Sequence, residues 1–170
     1  MVFAAVNGGL LLYSKNAVDH AADVGMVTLA AEGNCSNGPN CPTSDADQVA
    51  LTRMRNAGLG TTSLVSVASI TVTREFETSN GTIRDFVQSD APSDRNCTNF
   101  PCENIYSLNG SASRFYWPPA NRLVNGGANG SQVTSDFAKV SVAYTYHFFG
   151  TSHPDVNVTV VKVLRLEPQQ

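Results

Sequence analysis

Hydrophobic and small residues at the front of the chain recur at steps of three and four: Val6, Leu10, Tyr13, Ala17, Ala21, Val24, Thr28 and Ala31. That spacing puts them on one face of an α-helix. No proline interrupts 2–32, and Gly33-Asn34 supplies a stop. The pattern therefore predicts one helix over 2–32, roughly 45 Å long at about 1.5 Å per residue. A domain of this size does not need such a length to cover its own core. The helix is amphipathic from Tyr13 to Ala31, which is expected to pack on a sheet, with Lys15, Asp19 and Asp23 as an ion-pair ladder on its wet face. From Val2 to Leu12 it is apolar on most sides, and Gly8, Gly9 and several alanines are small enough for close helix–helix approach.

A second, shorter helix is predicted after Pro42. Thr43 or Ser44 would cap it, Ser44 and Asp47 resemble a capping box, and Ala46, Ala50, Met54 and Ala57 form the inner stripe before Gly58 ends it. Period-two alternation then takes over. Ala68, Ile70, Val72 and Phe76 alternate with polar residues over 66–77, Ser79-Asn80-Gly81 signals a tight turn, and 83–87 is a short return strand. Residues 88–132 read as irregular. Two long strands close the chain, one from Ala138 to Phe148 and one from Val156 to Leu166. In the last of these Val161 and Val163 are apolar on the nominally outer face, which predicts a central strand covered on both sides. Two helices followed by an antiparallel sheet of about four strands is an α+β pattern. The expectation is one domain over 1–170, with 1–33 as helical stem and 34–170 as head.

Composition narrows the class. Charged residues make up 15% of the chain, well under the usual quarter, and Asn, Ser, Thr and Gly take their place. A net charge of −3 without any Lys/Arg cluster argues against a nucleic-acid partner. Four cysteines lie in two polar loops, Cys35 and Cys41 in CSNGPNC, Cys97 and Cys102 in CTNFPC. Neither spacing suits a redox motif or a zinc knuckle. Three connectivities are open, of which the two local bridges are favoured, and disulfides imply an oxidising, extracellular or cell-surface setting. Six Asn-x-Ser/Thr sequons, at Asn34, Asn80, Asn96, Asn109, Asn129 and Asn157, mark exposed loops. The chain shows no cleavable signal, and the apolar run from Val2 to Tyr13 reads as the second half of a membrane span whose first half is missing.

Catalytic chemistry has little foothold. His147, His153 and Asp155 fall across one turn and are a weak metal-site candidate; the alternative is surface histidines. No Gly-x-Ser-x-Gly elbow, phosphate-binding glycine pattern or calcium loop occurs, and no local motif selects a Ser-His-Asp set. The reading is a non-enzyme without cofactor. Tyr106, Phe115, Tyr116 and Trp117 form an aromatic cluster in the long irregular stretch. They either pin that stretch to the domain or present a partner surface.

Two stretches resemble a known family. Leu11-Leu12-Tyr13-Ser-Lys-Asn-Ala17-Val18-Asp19-His20-Ala21-Ala22-Asp23-Val24-Gly25 is similar to the end of the long helix of TadE-like proteins, although Asp23-Val24 stands where that family usually has Arg-Glu. The closing strand, Val160 to Pro168, resembles the family's last strand, which often ends in Arg-x-Glu-Pro. The resemblance covers about half of the chain. It implies a pilin-like or pseudopilin-like subunit of a tight-adherence, type IV-related pilus system. Such a subunit would be extracellular, anchored in the membrane through an upstream helical segment before assembly, and non-catalytic. Its partners would be other pilin-like subunits, met through Phe3, Val6, Leu10, Leu11 and Tyr13. The alternative is a secreted or surface-anchored adhesion module that uses the 96–129 loop.

Overall fold

The computed structural model describes residues 2–33, 45–78, 80–89, 97–122, 136–150 and 154–166. Two helices, α1 (Val2–Glu32) and α2 (Ala46–Asn56), lie on one face of an antiparallel sheet. The strands are β1 (Val65–Glu77), β2 (Ile83–Asp85), β3 (Glu103–Tyr106), β4 (Ala112–Phe115), β5 (Phe137–Tyr146) and β6 (Val156–Arg165). The sheet runs β4-β3-β1-β5-β6, with β2 paired to the far end of β1. The α+β class and the long first helix are therefore as expected. Among the described residues the sheet has six strands rather than about four. The two unforeseen strands, β3 and β4, come from the stretch read as irregular. Each spans only 4 residues, too short for alternation to declare itself.

The core lies between the helices and the inward rows of β1 and β5. On β5, Ala138, Val140, Val142, Tyr144 and Tyr146 face the helices and are buried. Ile70 and Val72 stand opposite Val142 and Val140, as the β1–β5 register requires. On α1 the small residues Ala21, Ala22 and Gly25 are buried, with Val18, Met26 and Leu29 beside them. This face is not the expected stripe. Val6, Tyr13 and Ala31 point to solvent, and the buried line runs through Asn7, Ser14, Val18, Ala21, Gly25 and Leu29. At about 100° per residue, the helix is turned by roughly a third of a turn from the expected seating. Nearly every side of α1 is apolar or small, so periodicity alone did not single out one face.

Three further expectations change. Asp45, not Thr43 or Ser44, occupies the N-cap of α2, and it makes no side-chain cap hydrogen bond. Asp47 turns into the core instead (Thr43 and Ser44 lie outside the described residues). Asp19 and Asp23 pair with Lys162 of β6, at 3.1 and 2.9 Å, and so seal the helix against the sheet margin. Finally, among the described residues β6 is an edge strand, not a central one. Val161 is 50% exposed and Val163 37%. Their continuous apolar run imitates a strand covered on both faces.

Candidate functional site

Helix α1 is anchored close to its front end. The Asn7 side chain is buried against the chain after β5: its Nδ2 donates to the Phe149 carbonyl at 3.4 Å and its Oδ1 accepts from the Phe149 amide at 3.1 Å. Packing on the domain thus reaches Asn7, well above the Tyr13 boundary read from the sequence. Of the expected assembly residues, Leu10 and Leu11 are half-buried against the core. Val6 and Tyr13 are exposed, together with Leu12 at 63%. Phe3 lies within α1, and its side chain is outside the described residues.

Among the described residues nothing packs against the two glycines of this region. A Cβ on Gly8 or Gly9 would meet nothing within 4 Å. Gly25 is the contrast, since a Cβ there would come within 2.4 Å of Met54 Cγ and Sδ, where α1 crosses α2. A mid-helix glycine costs roughly 1 kcal/mol relative to alanine. At Gly25 close packing explains that cost, whereas at Gly8 and Gly9 no contact among the described residues does. Among the described residues no helix is long and apolar enough to cross a membrane.

The aromatic cluster divides. Trp117 and Tyr106 are buried, so they are removed from any partner surface; Phe115 is 41% exposed and Tyr116 half-buried. The first two belong to a buried polar knot. Asp47 forms an ion pair with Arg122 at 2.7 Å, with both side chains at 0% exposure. Its Oδ2 also accepts from Asn104 Nδ2 and the Tyr106 hydroxyl. Asn104 bonds the Trp117 backbone in both directions, and the Arg122 guanidinium lies 4.4 Å from the Trp117 ring centre. Burial beside the Asp47 carboxylate pushes the Tyr106 phenol well above its ordinary value. The knot fastens α2, β3 and the Trp117–Arg122 segment to one another.

A second anchor gathers around the Cys97–Cys102 disulfide, which forms as expected. The Cys35–Cys41 pairing lies outside the described residues. Arg74 reaches from β1 to Asp136 at 2.7 Å, lies over the Phe86 ring and touches Cys97 Sγ.

On the outer face of the sheet, two groups of charged and polar side chains meet. Lys139 bridges Glu75, at 2.7 Å, and Asp85. Burial lifts the Glu75 carboxyl from 4.5 to about 7 even though Lys139 opposes it, while the bond from Lys139 holds Asp85 below the ordinary carboxylate range. Farther along, Ser66 Oγ lies 2.7 Å from His147 Nε2, and His147 Nδ1 lies 2.9 Å from Asp155 Oδ2. His147 and Asp155 do come together, as their spacing suggested, but the group they form includes a serine rather than a metal-binding partner. His153 lies outside the described residues. Both imidazole nitrogens are engaged, and among the described residues no group of three metal-binding side chains occurs. Ser66, Glu75, Asp85 and Lys139 carried no signal in the sequence. Their partners stand far away in the chain and only strand register brings them together.

The fourth feature is a half-open groove of about 550 Å³ between the two helices. It is lined by Val24, Thr28 and Ala31 of the stripe expected to face the sheet, and by His20 and Arg53.

No family model, curated protein or solved structure matches the chain.

Proposed function

We propose that this chain is a structural subunit of a bacterial surface filament or of its assembly machinery, TadE-like in kind, which associates with other pilin-like subunits through the front of α1. The observation that carries this reading is the pair Gly8 and Gly9, where an added Cβ would meet nothing within 4 Å among the described residues. They sit among Val6, Leu12 and Tyr13, all exposed. Small residues beside exposed apolar ones let a neighbouring helix approach closely, and exposed apolar patches mark association surfaces. A disulfide and a weakly charged, Asn/Ser/Thr-rich surface suit an extracellular setting. The membrane enters the proposal through an apolar segment upstream of α1.

The test uses the full chain with and without an added apolar helical extension before Met1. Assembly is read by electron microscopy and sedimentation, membrane association by vesicle flotation. Filaments or oligomers that Gly8→Leu or Tyr13→Glu abolishes support the reading. A strictly monomeric chain whose extended form neither floats nor assembles removes it. An adhesion module built on the 96–129 loop draws less support, because Tyr106 and Trp117 are spent on the core.

A further inference from the structure

The hydrogen-bonded chain Ser66–His147–Asp155 has the atom order of a nucleophile, a general base and an orienting carboxylate. Three separate elements supply it. Ser66 is the second residue of β1, His147 follows β5 and Asp155 precedes β6. The backbone holds the frame: the His147 amide donates to the Leu64 carbonyl at 2.9 Å, which fixes the imidazole beside Ser66. Ser66 pairs with Thr145 across β5, and the Thr145 hydroxyl donates to Asn157 Oδ1 on β6. Asp155 therefore leads into a strand already fastened to β5. The register of β1 against β5 breaks between Val67 and Ser69, directly beyond Ser66. Such bulges re-aim neighbouring side chains and are common beside reactive sites.

Each nitrogen meets the partner that the chemistry requires. A carboxylate at Nδ1 accepts the proton there and leaves Nε2 as the acceptor. At Nε2 the Ser66 hydroxyl lies within the 2.6–3.2 Å or so over which a base takes a proton. Ser66 is exposed, and the His147 side chain is 37% exposed, so a reactant can reach both.

We propose that Ser66 is a base-activated nucleophile that accepts acyl groups from activated esters on the outer face of the sheet. In this step Ser66 Oγ bonds to the carbonyl carbon and its proton passes to His147 Nε2. The carbonyl–leaving-group bond breaks, and the leaving oxygen departs with that proton. Water attacks the acyl-serine by the reverse route and releases the acid. Asp155 is a positioning residue, since it holds the ring and stabilises the imidazolium formed in the step. The substrate class follows from the setting. Ser66 stands within a strand and is exposed. Activation therefore rests on the base, worth about 10²- to 10⁴-fold. An unactivated ester or amide also needs preorganised donors for its oxyanion, worth another ~10²- to 10³-fold. Esters with good leaving groups, such as aryl esters, and phosphonyl fluorides of the same electrophilic kind, are the fitting reactants.

The experiment labels the full chain with an alkyl fluorophosphonate, whose serine adduct resists hydrolysis, and locates the adduct by peptide mass spectrometry. Ser113 is the internal reference, because it is exposed on a strand and its hydroxyl donates to the Ile105 carbonyl rather than to a base. The expected result is labelling at Ser66 at least tenfold faster than at Ser113, abolished in Ser66→Ala and reduced at least tenfold in His147→Gln. The Ser66 rate should depend on pH, and Asp155→Asn should displace that dependence. Circular dichroism of each variant establishes that it is folded. The proposal is overturned if Ser66 labels no faster than Ser113, or if His147→Gln leaves its rate unchanged in a folded protein. A pH profile that Asp155→Asn does not move overturns the positioning role.

Discussion

At the scale of single residues, Glu75 is the clearest case of a side chain held against its preference. Its burial raises the carboxyl to about 7, so the folded chain holds that proton more tightly than the unfolded chain does. The stability from this group is fully present below the unfolded value of 4.5 and is lost as pH rises toward 7. The displacement corresponds to roughly 3 kcal/mol as a ceiling. Asp85 runs the other way, but its lowered pKa acts at and below its ordinary value of 3.8, outside that window. Glu75→Gln should therefore flatten the fall of stability between pH 4.5 and 7, as measured by urea titration at several pH values. An unchanged slope would show that Lys139 already neutralises the site. The glycines give a second residue-scale prediction. Gly8→Ala and Gly9→Ala should each leave the monomer's stability the same or raise it by up to about 1 kcal/mol. Gly25→Ala should lower it by about 1–3 kcal/mol, because the new methyl meets Met54. Thermal melts of the three variants decide, and a destabilising Gly8→Ala would mean that the monomer itself packs against that position.

Between elements, the Asp47–Arg122 pair matters most. Both groups are fully buried, so removing one leaves the other charge without compensation. Asp47→Ala is expected to cost roughly 3–5 kcal/mol. A double change to Asp47→Leu with Arg122→Met should cost less than that single change. The residual penalty falls on Asn104 and Tyr106, which both donate to Asp47. Chemical denaturation of the two variants separates the cases. The Cys97–Cys102 bridge closes a short loop, with a sequence separation of 5. Its removal by a Cys→Ser pair should cost roughly 2 kcal/mol on the chain-entropy account. Any larger loss would show that the loop also holds Arg74 in place over Phe86. Elements were legible in the sequence to the extent that they were long. The 31-residue α1 and the two 10-residue strands announced themselves by period. The 4-residue β3 and β4 did not, because so short a segment carries no period to read.

For the whole molecule, the test of function is association. If the front of α1 is an interface, the oligomeric state should respond to Leu12→Glu or Tyr13→Glu while the melting temperature stays within a few degrees. Both side chains are exposed, so the monomer loses little by the change. A loss of folding in either variant would instead make them parts of the core. The sequence by itself determined the long helix, the α+β order, the alternating β1 and β5, and the placing of Cys97 and Cys102 in one short loop. Each is local, written in a run of neighbours or within one short loop. Tertiary structure alone decided which face of α1 is buried, that β6 is an edge, and that Trp117 is core. It also brought Ser66 to His147 and Glu75 to Lys139. These depend on which distant residues share a strand register or a helix crossing. In α1 the deciding factor was volume: where α1 crosses α2, a Cβ on Gly25 would come within 2.4 Å of Met54, and no pattern within the helix records what lies beneath it.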